Sequence, residues 1–280
     1  MQFVIIGIGL MGGSLAAALK QNQLGQVVGV DVDAQAIANA LHRGLIDKGT
    51  TDYREVVPVA DVVILATPVG AIINLLPEIG RLAKKGAIIT DLGSTKEEIV
   101  KQMDLLPDAI QSIAGHPMCG KFEAGVEYAE ANLYSGKTFV LVPAARTTPA
   151  TVETMEGIVR KIGGVPRQLS AREHDELVAL TSHLPRILPV ALLSLMQKNT
   201  HGAKWNLAGG NLQKSTFLAT NNPAMWLDVL LTNSGNLVKA LDDLCNELKI
   251  IARQIDDGNE VTLQQTLQNA HDIWVSQFGK

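Results

Sequence analysis

Short apolar runs alternate with stretches of helical periodicity over the first 169 residues of this chain. The apolar runs contain few polar positions, which is typical of strands buried on both faces of a sheet. We predict strands at residues 3–6, 27–30, 62–66, 87–90, 110–114 and 139–142. Helices are predicted between them at residues 13–21, 34–43, 70–82 and 96–103. The alternation indicates an α/β N-terminal domain, Rossmann-like and doubly wound, with a mostly parallel sheet.

The pattern changes near residue 170, after which strand-like runs disappear. We therefore predict a first domain over residues 1–169 and an all-α C-terminal helical domain over residues 170–280. A long helical pattern at residues 173–197 is expected to break at Pro185 and Pro189. Farther along, apolar residues recur every three or four positions at 237–255 and 263–278. Such a stripe packs one helix on another, either in the core of a bundle or between two subunits.

Composition and charge exclude several classes of protein. The 280 residues carry a net charge of −4 and only 4% are aromatic, which disfavours a nucleic-acid-binding surface. Two cysteines, Cys119 and Cys245, are too few for a disulfide scaffold or a cysteine-based metal site, and they favour a cytoplasmic location. The first cation, Lys20, follows the apolar start, so we expect no secretory signal. No uninterrupted apolar stretch elsewhere approaches the ~20 residues that cross a bilayer, which predicts a soluble protein.

A glycine pattern carries the clearest chemical signal. The sequence Gly7-Ile8-Gly9-Leu10-Met11-Gly12 lies between the first predicted strand and the first predicted helix. In that context it is typical of a dinucleotide-binding turn, because the helix N-terminus presents free N–H groups to a pyrophosphate. Asp31 follows Gly12 by 19 residues, where an acid accepts hydrogen bonds from ribose and repels a 2′-phosphate, so we predict NAD rather than NADP. Two structural alternatives stay open: a glycine turn without a ligand, and Asp31 as a helix N-cap, although Asp33 can also serve as that cap.

Candidate catalytic side chains follow the carboxyl ends of other predicted strands, where ligands bind in such sheets. His116 follows the strand at 110–114, and an imidazole with a pKa near neutrality suits the removal of a hydroxyl proton, although a lone histidine is more often structural. Ser94 follows the fourth strand and has two roles open to it, a helix N-cap with Glu97 or a hydroxyl in the cleft. Thr67 and Pro68 follow the third strand, where small residues would let a nicotinamide ribose approach.

Five motifs occur in a fixed order along nearly the whole chain. They are the glycine loop with Gly13-Ser14-Leu15, then Asp91-x-Gly93-Ser94-x-Lys96, Gly115-His116-Pro117-Met118, Ser182-His183-Leu184-Pro185 and Asn222-Pro223-x-Met225-Trp226. The glycine loop is shared with many dehydrogenases, whereas the His-Pro-Met and Ser-His-Leu-Pro motifs are more particular. In these motifs the chain resembles the prephenate/arogenate dehydrogenase family. The resemblance implies NAD-dependent oxidative decarboxylation of prephenate or arogenate on the route to tyrosine.

The resemblance also implies roles for individual residues. The residue matching His116 takes the proton of the 4-hydroxyl, the one matching Ser94 hydrogen-bonds near that hydroxyl, and the one matching His183 lies on the substrate side. His183 stands at the start of the helical half, which independently suggests that it faces the cleft. Relatives pair through their helical domains, so a homodimer is implied, in keeping with the apolar stripe.

One position departs from the family pattern. Relatives usually carry Gly-Phe-Arg-Asp, whose arginine clamps a substrate carboxylate, where this chain has Gln213. A neutral amide cannot supply a bidentate cationic fork. Lys214 lies one position along, and Arg186 lies three residues after His183, hence on the same helix face. We expect Arg186 as the main replacement and Lys214 as the auxiliary one, with pairing of Arg186 to a surface acid as the alternative.

Two other functions fit parts of the sequence. A β-hydroxyacid dehydrogenase or imine reductase has a similar two-domain build but relies on a lysine in its first long interdomain helix, and residues 173–195 contain no lysine. A non-catalytic NAD-binding sensor is supported only by the missing clamp arginine. The retained His116, Ser94 and His183 argue against such a sensor.

Overall fold

An eight-stranded sheet organises the N-terminal part of the computed structural model, which describes residues 1–199, 205, 207–220 and 223–279. Its order is β3-β2-β1-β4-β5-β6-β7-β8, and every neighbouring pair is parallel except β6 and β7. The mostly parallel, Rossmann-like prediction is confirmed. The strands are β1 Gln2–Ile6, β2 Gln26–Val30, β3 Lys48–Thr50, β4 Val62–Leu65, β5 Ile88–Asp91, β6 Gln111–Pro117, β7 Thr138–Pro143 and β8 Val165–Gln168.

Helices cover both faces of this sheet and continue beyond it. Those of the α/β part are α1 Leu10–Gln21, α2 Ala34–His42, α3 Val69–Leu82, α4 Glu97–Met103 and α5 Pro149–Lys161. Those that follow are α6 Ala171–Val178, α7 Leu184–Asn199, α8 Gly210–Thr216, α9 Pro223–Thr232, α10 Ser234–Asp256 and α11 Glu260–Phe278.

The apolar strands are explained by two cores, one on each face of the sheet. In β1, Phe3 and Ile5 pack into the core that contains residues of α1, α2 and α5. Val4 and Ile6, which point the other way, pack into the core that contains residues of α3 and α4. Both faces are therefore dry, and the strand pattern shows no polar alternation.

Residues 171–199 form one continuous helical segment rather than a broken one. A π turn at Ala179–His183 joins α6 to α7, so the expected breaks at Pro185 and Pro189 are wrong. Pro185 lies in the first turn of α7, directly after the wider turn, where its missing N–H is tolerated. By length and composition alone this segment could cross a membrane, but its residues His174 and Asp175 are each 1% exposed and hydrogen-bonded inside the domain.

A buried ion pair connects β5 to β6 where their ladder ends. The two strands pair at Ile88 with Gln111 and at Ile89 with Ser112. Beyond that point, the Asp91 carboxylate accepts a hydrogen bond from the Gly115 N–H (3.1 Å), and the Lys96 ammonium donates to the Gly115 carbonyl (2.6 Å).

The two charged side chains also bond to each other, and both are fully buried. A Cβ atom at Gly115 would lie 2.6 Å from the Asp91 carbonyl oxygen, so the close approach requires glycine. The ion pair therefore fixes the strand segment that leads into His116.

The contacts divide the chain into two compact units, Met1–Asn233 and Ser234–Lys280. Helices α6 to α9 belong to the first, and the domain boundary predicted between residues 169 and 170 stays a prediction. The second unit is a hairpin of α10 and α11. Much of its apolar stripe is exposed, so burial in an intrachain core is wrong for the residues Leu248, Ile255, Leu267, Trp274 and Phe278, each more than half exposed.

Replacing Lys96 by Met tests the importance of the buried pair. The substitution leaves Asp91 as a buried carboxylate without its cation, and we expect the free energy of unfolding to fall by about 3–5 kcal/mol. Lys101→Met is the matched control, because Lys101 pairs with Glu98 on the surface, and it should leave the free energy of unfolding nearly unchanged. Urea unfolding followed by circular dichroism measures both. Similar small losses of unfolding free energy in the two variants would contradict the role of the ion pair in fixing the strand segment before His116.

Candidate active site

Four of the predicted site segments meet at one edge of the sheet. The strands β1, β4, β5 and β6 are consecutive neighbours and all run parallel, so their carboxyl ends share that edge. The glycine loop follows β1, Thr67 follows β4, Ser94 follows β5, and His116 lies near the end of β6. This edge is where a ligand binds in an open α/β sheet.

The glycine loop has the shape that a pyrophosphate requires. Gly9 is the N-cap of α1 and provides no side-chain cap, so the N–H groups of Leu10 and Met11 at the helix start are left for an external acceptor. A Cβ atom placed on Gly9 would meet nothing within 4 Å, whereas one on Gly12 would lie 1.9 Å from the Gly7 carbonyl oxygen. The loop is thus closely packed against itself at Gly12 and open to a ligand at Gly9.

Asp31 stands beside that loop. Its carboxylate accepts hydrogen bonds from the backbone N–H groups of Ile8 (2.7 Å) and Asp33 (3.0 Å). The cap of α2 is Asp33, which accepts from the Gln35 N–H, so the N-cap alternative for Asp31 is wrong. Each Asp31 oxygen keeps capacity to accept a further hydrogen bond, such as one from a ribose hydroxyl.

Thr67 and Pro68 lie between β4 and α3. Pro68 is the N-cap position of α3, and the Thr67 hydroxyl is buried without a partner among the described residues. An unpaired buried hydroxyl next to the glycine loop indicates a place for a ligand group. The Gly70 N–H donates to the Asp228 carboxylate (3.1 Å), which ties the start of α3 to α9.

A chain of three side chains leads away from His116. The Nδ1 atom of His116 lies 2.7 Å from Nε2 of His174, and Nδ1 of His174 lies 2.7 Å from Oδ1 of Asp175. Ser170 and Glu173 form a capping box that begins α6, which places His174 and Asp175 near its start. Sequence reasoning missed both residues; the adjacent His-Asp pair was the available signal.

Asp175 also caps α4 across the fold. Its carboxylate accepts hydrogen bonds from the backbone N–H groups of Lys96 (2.8 Å) and Glu97 (2.9 Å). The N-cap role considered for Ser94 is therefore wrong, since α4 begins after Lys96 without a cap from its own loop. Ser94 is half-buried, and its hydroxyl is not required by the helix.

His183 is held as a neutral hydrogen-bond donor. It is 1% exposed, and burial lowers its pKa to about 4. Its Nδ1 atom lies 3.2 Å from the side-chain nitrogen of Asn233, which can only donate, so the proton of the neutral ring is on Nε2. The ring packs edge-on against Trp226, with centroids 6.0 Å apart.

Arg186 stacks on the same Trp226 ring. Its guanidinium carbon lies 4.1 Å from the centre of the Trp226 ring, and burial lowers its pKa. Nη1 of Arg186 and Nε1 of Trp226 are both buried and find no acceptor among the described residues. Two unpaired buried donors on stacked side chains mark a place for an anion. The alternative, in which Arg186 pairs with a surface acid, is not found in the described part of the chain.

Comparison with known proteins decides the family. The protein-family model "Prephenate dehydrogenase, nucleotide-binding domain" matches residues 15–167, and the family model "Prephenate dehydrogenase, dimerization domain" matches residues 170–269. Prephenate dehydrogenase of Bacillus subtilis is 31% identical over 275 residues, which cover 96% of this chain and 74% of that protein. This chain belongs to the prephenate dehydrogenase family. It carries the nucleotide-binding and dimerization domains of that family.

Solved structures of the prephenate dehydrogenase family share the fold. Prephenate dehydrogenase of Aquifex aeolicus, solved with hydroxyphenyl propionate and NAD⁺, gives a TM-score of 0.93 at 28% identity, covering 99% of this chain and 98% of that one. Arogenate dehydrogenase of Synechocystis gives a TM-score of 0.86 at 26% identity, covering 97% and 98%.

Gln213 and Lys214, where the resemblance places the carboxylate clamp, are both exposed on α8. Asn222 of the last motif lies outside the described residues. Within those described, no three His, Cys, Asp or Glu side chains are grouped to hold a metal ion. Arg186, three residues after His183, is the cation that contacts the same Trp226 ring as His183.

The electrostatic surroundings keep His116 unprotonated. Burial is the main cause that lowers its pKa well below 6.5, and the neighbouring His174, Lys96 and His183 add to the effect. A neutral imidazole can accept a proton from a substrate hydroxyl. The site thus combines a proton acceptor in His116, a neutral donor in His183 and a cation, Arg186, whose buried Nη1 has no acceptor among the described residues.

Proposed function

We propose that this protein catalyses the NAD⁺-dependent oxidative decarboxylation of prephenate or arogenate, with His116 as the base for the 4-hydroxyl. The observation that carries the proposal is the position of His116. It lies at the ligand-binding edge of the sheet, is oriented through Nδ1 by His174, and is kept neutral by burial. The relatives named above act on prephenate or arogenate, and one of them binds NAD⁺.

The chain's own groups prepare the substrate for this reaction. Nε2 of His116 accepts the proton of the 4-hydroxyl, Ser94 hydrogen-bonds near that hydroxyl, and Nε2–H of His183 donates from the substrate side. Bound NAD⁺ supplies the acceptor for the hydride that leaves the same carbon. The ring carboxylate departs as CO₂, and aromatisation makes the step strongly downhill, so orientation of the ring is the main task of the protein.

The second substrate carboxylate needs a cation, because burial of an unpaired carboxylate is costly. Arg186 is our proposed partner, with Nε1–H of Trp226 as a further donor, since Nη1 of Arg186 and Nε1 of Trp226 are buried atoms without an acceptor among the described residues. Lys214 is the proposed auxiliary cation, and Gln213 contributes at most a neutral hydrogen bond.

The residues around the glycine loop fit NAD⁺. Gly7, Gly9 and Gly12 with the N–H groups of α1 would hold the pyrophosphate, Asp31 the adenosine ribose, and the segment at Thr67 and Pro68 the nicotinamide ribose. The buried hydroxyl of Thr67 supports the last assignment. A non-catalytic sensor would need none of the arrangement around His116, so the catalytic function is favoured.

We further propose a homodimer through the helical domain. Apolar side chains of α10 and α11, including Leu248 and Trp274, are more than half exposed in the single chain, and the matched family domain is one of dimerization. A cytoplasmic location is supported by the free thiols of Cys119 and Cys245.

Cofactor choice tests the role of Asp31. Wild-type enzyme should use NAD⁺ with a kcat/KM about tenfold or more above that for NADP⁺, because the carboxylate binds ribose and repels a phosphate. The double variant Asp31→Ser with Val32→Arg should reduce this difference in kcat/KM, because the carboxylate is removed and a cation for the 2′-phosphate is added. Initial rates with both cofactors measure the effect, and equal use of the two by the wild type would contradict it.

Replacing His116 by Asn tests the base. The variant should bind NAD⁺ nearly as well as the wild type but lose about 10²–10⁴ in kcat, as expected for a general base. In the wild type, kcat/KM should rise with pH and reach its plateau before pH 6.5, because the lowered pKa keeps His116 unprotonated at pH 6.5 and above. That acid limb should vanish in the variant. Turnover within a few fold of wild type would remove His116 from the mechanism.

Two matched alanine variants test the carboxylate partner. Arg186→Ala should raise KM about 10- to 100-fold with a smaller effect on kcat, because the interaction exists in both the ground and transition states. Lys214→Ala should raise KM less, since Lys214 is exposed. Trp226→Phe keeps the stacking partner and removes only the N–H donor. Unchanged KM in all three would mean that the carboxylate is held elsewhere.

A further inference from the structure

We propose that His174 and Asp175 are positioning residues that lock His116 into the tautomer whose Nε2 is free to accept a proton. The inference rests on the proposed role of His116 as the base. It concerns which ring nitrogen of His116 carries the proton before the reaction begins.

The hydrogen-bond chemistry of the three side chains defines the direction of the chain. A carboxylate can only accept, so the hydrogen bond of 2.7 Å between Asp175 and Nδ1 of His174 requires a proton on that nitrogen. In neutral His174, Nε2 is then an acceptor. The atom 2.7 Å away, Nδ1 of His116, must therefore be the donor. This leaves the lone pair of His116 on Nε2, the nitrogen without a partner among the described residues.

The backbone at both ends makes this arrangement rigid. The Asp175 carboxylate is fixed by the N–H groups of Lys96 and Glu97, and it is 1% exposed. His116 follows Gly115, whose two backbone groups are held by the Asp91 and Lys96 side chains. A swap of tautomers would require one of these held groups to move.

The same chain stabilises the product of proton transfer. When Nε2 of His116 takes the hydroxyl proton, the ring becomes a cation with its Nδ1–H still donating to His174. The Lys96 ammonium and the rings of His174 and His183 oppose that charge, as does burial. Asp91 and Asp175 are the anions that counter it, the first paired to Lys96 and the second reached through His174. Loss of the chain should therefore change the pH profile as well as the rate.

Two substitutions at His174 separate orientation from packing. In His174→Gln, the amide oxygen can occupy the place of Nε2 and accept from Nδ1 of His116, so most of the kcat should remain. In His174→Met, a side chain of similar size offers no acceptor, and kcat should fall about 10–100-fold, with KM and NAD⁺ affinity little changed. His42→Gln, on the exposed surface of α2, is the control for a histidine substitution as such.

Asp175→Asn tests the anion at the end of the chain. Oδ1 of Asp175 contacts Nδ1 of His174 and also accepts from the Lys96 N–H, so in the variant the amide oxygen takes that place and the amide nitrogen faces the Glu97 N–H. The tautomer of His116 should then be kept, whereas kcat should fall about 10–100-fold, because the cation formed on His116 loses the anion reached through His174. Imidazole ¹⁵N chemical shifts of histidine-labelled full-length protein report the tautomer of His116 directly, and thermal unfolding monitors the cap of α4.

The outcomes are distinct for the two proposals. A wild-type His116 protonated on Nδ1, together with the Gln and Met difference at His174, supports the lock. A wild-type His116 protonated on Nε2, or equal kcat in His174→Gln and His174→Met, overturns it. If Asp175→Asn does not fold, the His174 pair and the wild-type spectrum still decide. High activity of His116→Asn would instead overturn the proposed role of His116 as the base. The imidazole ¹⁵N chemical shifts report the tautomer of His116 whether or not it has that role.

Discussion

The buried ion pair between Asp91 and Lys96 is the constraint on which the site depends. Where the ladder of β5 and β6 ends, these two side chains bind both backbone groups of Gly115. Burial of a charged side chain is costly unless it is paired, and here the two buried charges pair with each other. The pair therefore specifies one arrangement of the strand end, and His116, the next residue, inherits that position.

A second constraint ties the later helices to the sheet. Two helix N-termini of the α/β part, those of α3 and α4, receive acids from elsewhere in the chain, Asp228 from α9 and Asp175 from α6. Negative charge at a helix N-terminus is favourable because of the free N–H groups and the helix dipole. These two caps dock α6 and α9 on the edge where His116 lies, and they bring His183 and Arg186 with them.

The interior of the sheet could be predicted from the sequence, whereas its edges could not. The six predicted strands are those with near-continuous apolar residues, because they are buried on both faces. The strands β3 and β8 lie at the two edges, where polar and glycine residues suffice, and no periodicity indicated them. In the helical half the prolines led to a wrong prediction of helix breaks, because a π turn before Pro185 allows the helical segment to continue.

The sequence by itself determined the family and the fold class and supplied the candidate residues of the site, because those depend on local patterns and ordered motifs. It left His116 a lone histidine and gave Ser94 two possible roles. Only the tertiary structure decided that Asp175, 79 residues from Lys96, caps α4 and orients His174 toward His116. The physical reason is that a hydrogen-bond partner is chosen by distance in space, and no local pattern encodes which remote side chain will reach a free N–H or ring nitrogen.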